Sequence, residues 1–208
     1  MARSERESAI RYPLTWMLGV DSNLRVLRTL VRHGGVLAAS DIVRMSRLSR
    51  ESVRLGLLAL GALGIVDTLG SINARVHRLN ELHYLAPVLT MVFKAEAERF
   101  EAILNAVCQS AIDKPVLSLF LYGSAARGDD MADSDLDIGL VARPGDLADV
   151  VEGLRDAVRG PAEYLSFRPS VVGLDIEDFR RLTNNSDPWL ENVKREAIVL
   201  LGRRLEEL

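Results

Sequence analysis

Cysteine, long apolar runs and a leader-like N-terminus are what this 208-residue sequence lacks. Cys108 stands alone, which excludes a disulfide framework and any multi-cysteine zinc or iron–sulfur site, and fits a reducing cytoplasm. The opening stretch MARSERESAIRY is charged and has no apolar centre, so it does not read as a secretory signal. The longest apolar runs, around Leu57–Val66 and Val116–Tyr122, fall short of the roughly 18–20 residues a bilayer span needs. No membrane partner is expected. His77 and His83 have no companion at metal-ligand spacing and carry no catalytic weight. What is present is 48% hydrophobic and 26% charged residues, the composition of a folded globule, in a length that fits one large or two small domains.

Net charge is nearly absent as well, at −3, but that figure is a cancellation. Residues 1–80 carry 12 Lys+Arg against 6 Asp+Glu, a net of +6, and residues 81–208 carry 14 against 23, a net of −9. A basic first part suits a polyanion, because cationic side chains displace the counterions condensed on nucleic acid. An acidic second part repels nucleic acid unless its carboxylates hold metal. The asymmetry predicts two domains with different partners.

In the first part, SNLRVLRTLVRH places Leu24, Leu27, Leu30 and Val31 on one helical face, with Ser22 positioned to cap. A short second helix follows His33-Gly34-Gly35, with Ser40 as its expected cap and Ile42, Val43 and Met45 apolar. Ser49 then caps a third helix, whose apolar face is Val53, Leu57, Leu60 and Leu63. Two strand-like runs, Ile65–Leu69 and Ala74–Leu79, joined through Gly70, Ser71 and Asn73, predict a hairpin. This order resembles the winged helix-turn-helix family over about residues 20–80. The resemblance implies double-stranded DNA as partner and makes the third helix the recognition helix. Arg47, Ser49, Arg50, Ser52 and Arg54 then meet the DNA, with Arg75 and Arg78 on the hairpin near phosphates. Arginine suits both tasks, since its planar fork bonds guanine or phosphate bidentately. The competing use of such a fold is dimerisation or protein docking.

Residues 81–110 read as a connector, one long helix or two joined near Pro87, which is also the expected domain boundary. Val88, Met91, Val92, Ala95, Phe100, Ile103, Leu104 and Val107 recur at helical intervals, and Cys108 extends that side as a small core residue. Helices in this position often pair two chains, which leaves a homodimer open.

Residues 111–208 hold the chemistry. In VLSLFLYGSAARGDDMADSDLDIGLV, an apolar strand breaks at Gly123-Ser124, makes a helical turn through Arg127-Gly128, and re-enters a strand at Ser134-Asp135-Leu136-Asp137. Asp135 and Asp137 are two apart on a strand, so their carboxylates share a face, about 6.5–7 Å apart at Cα. Such a pair is costly without a cation between, and Mg²⁺ is the natural guest. Gly123-Ser124 exposes backbone N–H groups and a hydroxyl where a phosphate can rest.

This segment resembles the nucleotidyltransferase signature of the DNA polymerase beta superfamily, in Gly123, Ser124, Arg127, Gly128, Ser134, Asp135 and Asp137. Minimal nucleotidyltransferases, its smallest members, match the size of residues 111–208. The resemblance implies an α/β domain with a small mixed sheet, and hence an α+β chain overall: winged helix (1–80), connector (81–110) and transferase-like domain (111–208). It implies that Gly123 and Ser124, with Arg127, Gly128 and Ser134, hold an NTP, and that Asp135 and Asp137 bind Mg²⁺ or Mn²⁺. An NMP would pass to a hydroxyl acceptor, one ion activating that hydroxyl and the other steadying pyrophosphate. Arg127 either neutralises phosphate charge or buttresses the loop.

Active members add a third carboxylate from a later strand. The matching strand here, Arg168–Leu174, has none, with Ser170 or Val172 where an acid is expected. Asp175 is the best substitute as a catalytic group, unless it caps the helix that follows. The second reading is therefore a transcriptional regulator, or an antitoxin-type repressor of the kind in which minimal nucleotidyltransferases often occur, whose transferase-like domain senses nucleotide or dimerises. Gly160-Pro161 is expected to stop the helix at 146–158, and Trp189 to be core.

Overall fold

The computed structural model describes residues 13–71 and 74–208. Asn73 at the expected hairpin tip, and the MARSERESAIRY stretch, lie outside the described residues. The chain is α+β and divides into two compact units, to Ala97 and from Glu98.

In the first unit, α1 (Pro13–Leu18) and α2 (Asp21–His33) precede a two-residue strand, β1 (Leu37–Ala38). Then come α3 (Ala39–Ser46), α4 (Arg50–Ala62), β2 (Val66–Leu69) and β3 (Val76–Leu79). The strands form an antiparallel sheet in the order β1-β3-β2, which is the helix–strand–helix–helix–hairpin order of a winged helix. Strand β1 is too short to show in the sequence, yet it ties Leu37 to His77. Val26, Leu27 and Leu30 of α2 pack with Ile42, Val53 and Leu60 in the core. The expected cap at Ser49 forms, its hydroxyl accepting from the Ser52 amide at 3.1 Å. The caps expected at Ser22 and Ser40 do not: α2 and α3 start earlier, behind Val20 and Ala38, whose side chains offer nothing. Packing of the apolar faces sets those starts, because a cap contributes only about 1 kcal/mol.

Helix α5 (Ala86–Ala111) runs through the expected break at Pro87. Pro87 is its second residue, where the missing N–H has no helical partner to lose. Ala86, Leu89 and Phe93 belong to the first core, and Ile103, Val107 and Ala111 to the second. Arg28 of α2 grips Glu96 with two bonds of 2.6 and 2.7 Å while lying over the Phe93 ring.

The second unit is a mixed four-stranded sheet in the order β6-β5-β4-β7. Its elements after α5 are β4 (Val116–Tyr122), α6 (Gly123–Arg127), β5 (Leu136–Ala142), α7 (Leu147–Leu165) and β6 (Pro169–Asp175), then α8 (Ile176–Asn184), α9 (Pro188–Glu196) and β7 (Ile198–Gly202). β5 and β6 are parallel, joined by α7, and the other pairs are antiparallel. One sheet face, with Leu119, Leu121 and Ile138, packs on Val107, Leu154 and Val158. The other, with Phe120 and Val141, packs on Phe179, Leu190 and Val193.

Gly160-Pro161 does not stop α7, which continues to Leu165. The extension buries Ala162 and packs Leu165 against the core, offsetting the hydrogen bond that proline removes. Ser118 of β4 is 0% exposed and its hydroxyl finds no hydrogen-bond partner among the described residues. Since an unpaired buried hydroxyl costs roughly 1 kcal/mol or more, Ser118→Ala is expected to raise the melting temperature by a few degrees. A lowered melting temperature in thermal denaturation would show that the hydroxyl is satisfied after all.

Candidate functional site

Strand register assembles the site. Tyr122 of β4 lies opposite Asp137 of β5, and Asp137 opposite Ser170 of β6, so the three side chains stand in a row on one face. Asp135, two residues before Asp137, extends that face just outside the strand. Gly123 follows Tyr122 with φ +71°, and a Cβ placed there would collide with Oδ2 of Asp137. Any larger residue would force that carboxylate or the turn to move. The glycine of the Gly-Ser pair and the second aspartate of the Asp-x-Asp pair are thus in direct apposition.

Burial, then the charge of Asp135, pushes the Asp137 carboxyl above the ordinary range, while a hydrogen bond from Ser170 and the charge of Arg127 pull it back. Burial and the Asp137 charge likewise raise the Tyr122 phenol. Asp135 is bonded to Arg168, Nε to Oδ1 at 3.2 Å. Arg127 is held by Glu196 of α9 at 2.5 Å and by Asp129 at 3.2 Å, so it braces the turn. Gly128, at φ +73°, ends α6 and donates its amide to the Ser124 carbonyl at 2.9 Å. The Ser134 hydroxyl accepts from the Met131 amide at 2.9 Å and closes the acidic loop.

Asp175 is not brought to this place. It pairs with Ala142, five residues along β6 from Ser170 and on the opposite face, on the order of 16 Å away. Its carboxylate caps α8 instead, accepting from the Asp178 amide at 2.7 Å. Ser170, not an acid, stands beside Asp137. Trp189 is also not core: it is 38% exposed and meets Tyr122 edge-on at 5.9 Å. Arg168, Tyr122, Trp189 and Glu196 are site residues that sequence reasoning missed. A signal existed only for Arg168, two positions before Ser170 on the strand searched for an acid.

Asp135 and Asp137 suit one Mg²⁺, which takes one or two carboxylates and completes its shell with water and phosphate oxygens. No group of three or more His, Cys, Asp or Glu side chains that could hold a metal occurs among the described residues.

In the first unit, Arg47, Ser49 and Arg50 are exposed around the start of α4. Arg47 takes φ +54° at the end of α3, where Arg25 bonds the Ser46 and Arg47 carbonyls. Arg47, Arg50 and Arg75 form no ion pair among the described residues, whereas Arg54 pairs with Glu51 at 2.6 Å and Arg78 with Asp67 at 3.2 Å. The Ser52 hydroxyl bonds Ser49 at 2.9 Å. His77 is buried against Thr68, which lowers its pKa and leaves it structural. No helix is long and apolar enough to cross a membrane among the described residues.

No family model matches the chain, and no curated protein matches it. Among solved structures, a crystal structure of a toxin–antitoxin with AMP-PNP is similar at 19% identity and a TM-score of 0.34, over 50% of this chain and 77% of that one.

Proposed function

We propose that this chain is a DNA-binding regulator whose second unit binds a nucleoside triphosphate with a single Mg²⁺ and passes its NMP to a hydroxyl, with release of pyrophosphate, poorly or not at all. The observation that carries the reading is Ser170 beside Asp137. With a serine there, two carboxylates remain, enough to anchor one ion on a triphosphate and too few for the paired ions of nucleotidyl transfer. When bound, the ion neutralises phosphate charge. Gly123 opens the space next to Asp137 for the phosphates, and Ser124 with the following amides faces them. Arg127, braced by Glu196, sets a positive field at the same turn.

The first unit supports DNA as partner through its strand order and through Arg47, Arg50 and Arg75. At the pairs Arg54–Glu51 and Arg78–Asp67 a phosphate competes with a carboxylate, and exposed pairs of this kind contribute little. Arg50→Ala is expected to lower DNA affinity about tenfold and flatten the salt dependence, with a smaller loss for Arg54→Ala. A mobility shift indifferent to Arg47→Ala and Arg50→Ala together sinks the recognition helix. Leu55 and Leu58, both exposed on α4, favour the second reading of this unit as a docking surface; a chain that shifts no DNA but self-associates supports it.

The site is tested by calorimetry with Mg²⁺ and a non-hydrolysable ATP or GTP analogue, beside an assay for label passing from NTP to a hydroxyl. Metal-dependent binding without transfer is expected, lost in Asp137→Ala. Rapid wild-type transfer that Asp135→Ala abolishes overturns the regulator reading in favour of the enzyme.

A further inference from the structure

Arg168 stands beside Asp135, a carboxylate that the proposed reading gives to the divalent ion. Its backbone is pinned at the mouth of β6, its carbonyl accepting from the Leu136 amide at 2.7 Å, so its side chain issues beside Asp135. The guanidinium bonds Asp135 at 3.2 Å, with the side chains 61% and 56% exposed. Both also line a cavity of about 280 Å³ walled by Phe100, Met131 and Phe167. Arg99, the other cation of that cavity, is tied to the Ser166 carbonyl at 2.8 Å. The Arg168 guanidinium pairs with Asp135, and an exposed ion pair is weak enough to exchange.

We infer that Arg168 is an exchange residue. It neutralises Asp135 in the metal-free chain and moves to an anionic oxygen of the ligand once a divalent ion takes the carboxylate. The inference rests on the nucleotide-binding reading above. Its physics is competition: a guanidinium and a divalent ion at the Asp135 oxygens repel each other, so each weakens the hold of the other. Displaced, the guanidinium is still within reach of phosphate, which its planar fork matches better than an ammonium does. The acidic face then never stands uncompensated, and the ligand gains a contact that exists only when the ion is present. Arg168 thus couples the two binding events, so that ion and nucleotide each favour the other.

The test compares Arg168→Ala and Arg168→Lys with the wild type, using Mn²⁺ alone followed by electron paramagnetic resonance, and Mg²⁺ with a non-hydrolysable ATP analogue followed by calorimetry. Arg168→Ala is expected to bind Mn²⁺ alone about two- to fivefold more tightly, because Asp135 has lost its competitor. The same variant is expected to bind the Mg²⁺–analogue complex about tenfold more weakly, with Arg168→Lys in between. Movement in opposite directions is the signature, since a merely structural residue would weaken both. Both affinities falling together, or neither moving while the wild type binds the analogue, overturns the exchange role alone. A wild type that binds neither Mn²⁺ nor the analogue overturns the site reading and this inference with it.

Discussion

On the proposed reading, Ser170→Asp is expected to strengthen metal binding beside Asp137 and to bring out nucleotidyl transfer. The parallel register pairs residue 170 with Asp137, and the side chains of such a pair lie on the same sheet face. An aspartate there would place a third carboxylate in the row that already holds Asp137, next to Asp135. Mn²⁺ affinity should rise at least tenfold, because a third anionic ligand adds charge and completes the donor set for a second ion. The variant also carries a penalty whose sign can be worked out. The folded chain already holds the Asp137 proton more tightly than an unfolded chain does, since its pKa is raised by burial and by Asp135. Stability from that group is therefore present at low pH and lost as pH rises through the raised value. A third carboxylate enlarges the loss, so metal-free Ser170→Asp should melt below the wild type at neutral pH, recover on acidification, and recover more fully with Mg²⁺. Thermal melts with and without Mg²⁺ read the first part, and the labelled-NTP assay reads the second. A variant with unchanged Mn²⁺ affinity would show that residue 170 does not reach the site, and the proposal that Ser170 limits transfer would fail with it.

The parts of this site that the sequence makes legible are those whose geometry is local. Asp135 and Asp137 share a face because of strand parity, and the Gly123-Ser124 break sits at the end of one strand. Both can be read within a few residues of themselves. Asp175 was misplaced because its position depends on how β6 registers against β5, and a shift by one residue moves a side chain to the other face of the sheet. Ser170 and Val172 were left as alternatives for the same reason; the pairing of Ser170 with Asp137 decides between them. Arg168 meeting Asp135, and Glu196 meeting Arg127, join residues far apart in the chain, which no spacing rule connects. Trp189 reads as core because no aromatic is near it in sequence, whereas Tyr122 is near it in space.

The winged helix was legible for a different reason. Its helices are amphipathic with buried leucines at regular intervals, and its hairpin is bounded by Gly70 and Ser71. Capping was the weakest part: only Ser49 caps among the three serines considered. The basic charge of that region was real, but its arginines are not equivalent. Arg25 holds backbone carbonyls at the end of α3, Arg28 grips Glu96, and Arg54 and Arg78 pair with nearby acids. Net charge counts them alike. Arg47, Arg50 and Arg75 form no ion pair among the described residues.

Gly123→Ala should cost far more than Gly128→Ala, although the two glycines stand at the two ends of the same short helix with nearly the same dihedral, φ +71° and +73°. The shared conformation predicts a shared penalty of about 1–2 kcal/mol, the price of a Cβ in the left-handed region. At Gly128 nothing lies within 4 Å of an added Cβ, so that penalty is all the variant pays. At Gly123 the same atom would run into the Asp137 carboxylate, which can retreat only by turning its side chain or lifting the turn. Either movement separates the carboxylate from the amides of the turn, to which the proposed reading assigns the phosphates. Gly128→Ala is thus expected to melt a few degrees lower and to bind the Mg²⁺–analogue complex as the wild type does. Gly123→Ala is expected to lose at least tenfold in that affinity on top of a similar or larger drop in melting temperature. The difference between the two variants isolates the contact with Asp137 from backbone strain. Equal binding losses in both would mean that the turn's conformation, and not the apposition of Gly123 to Asp137, is what the ligand reads.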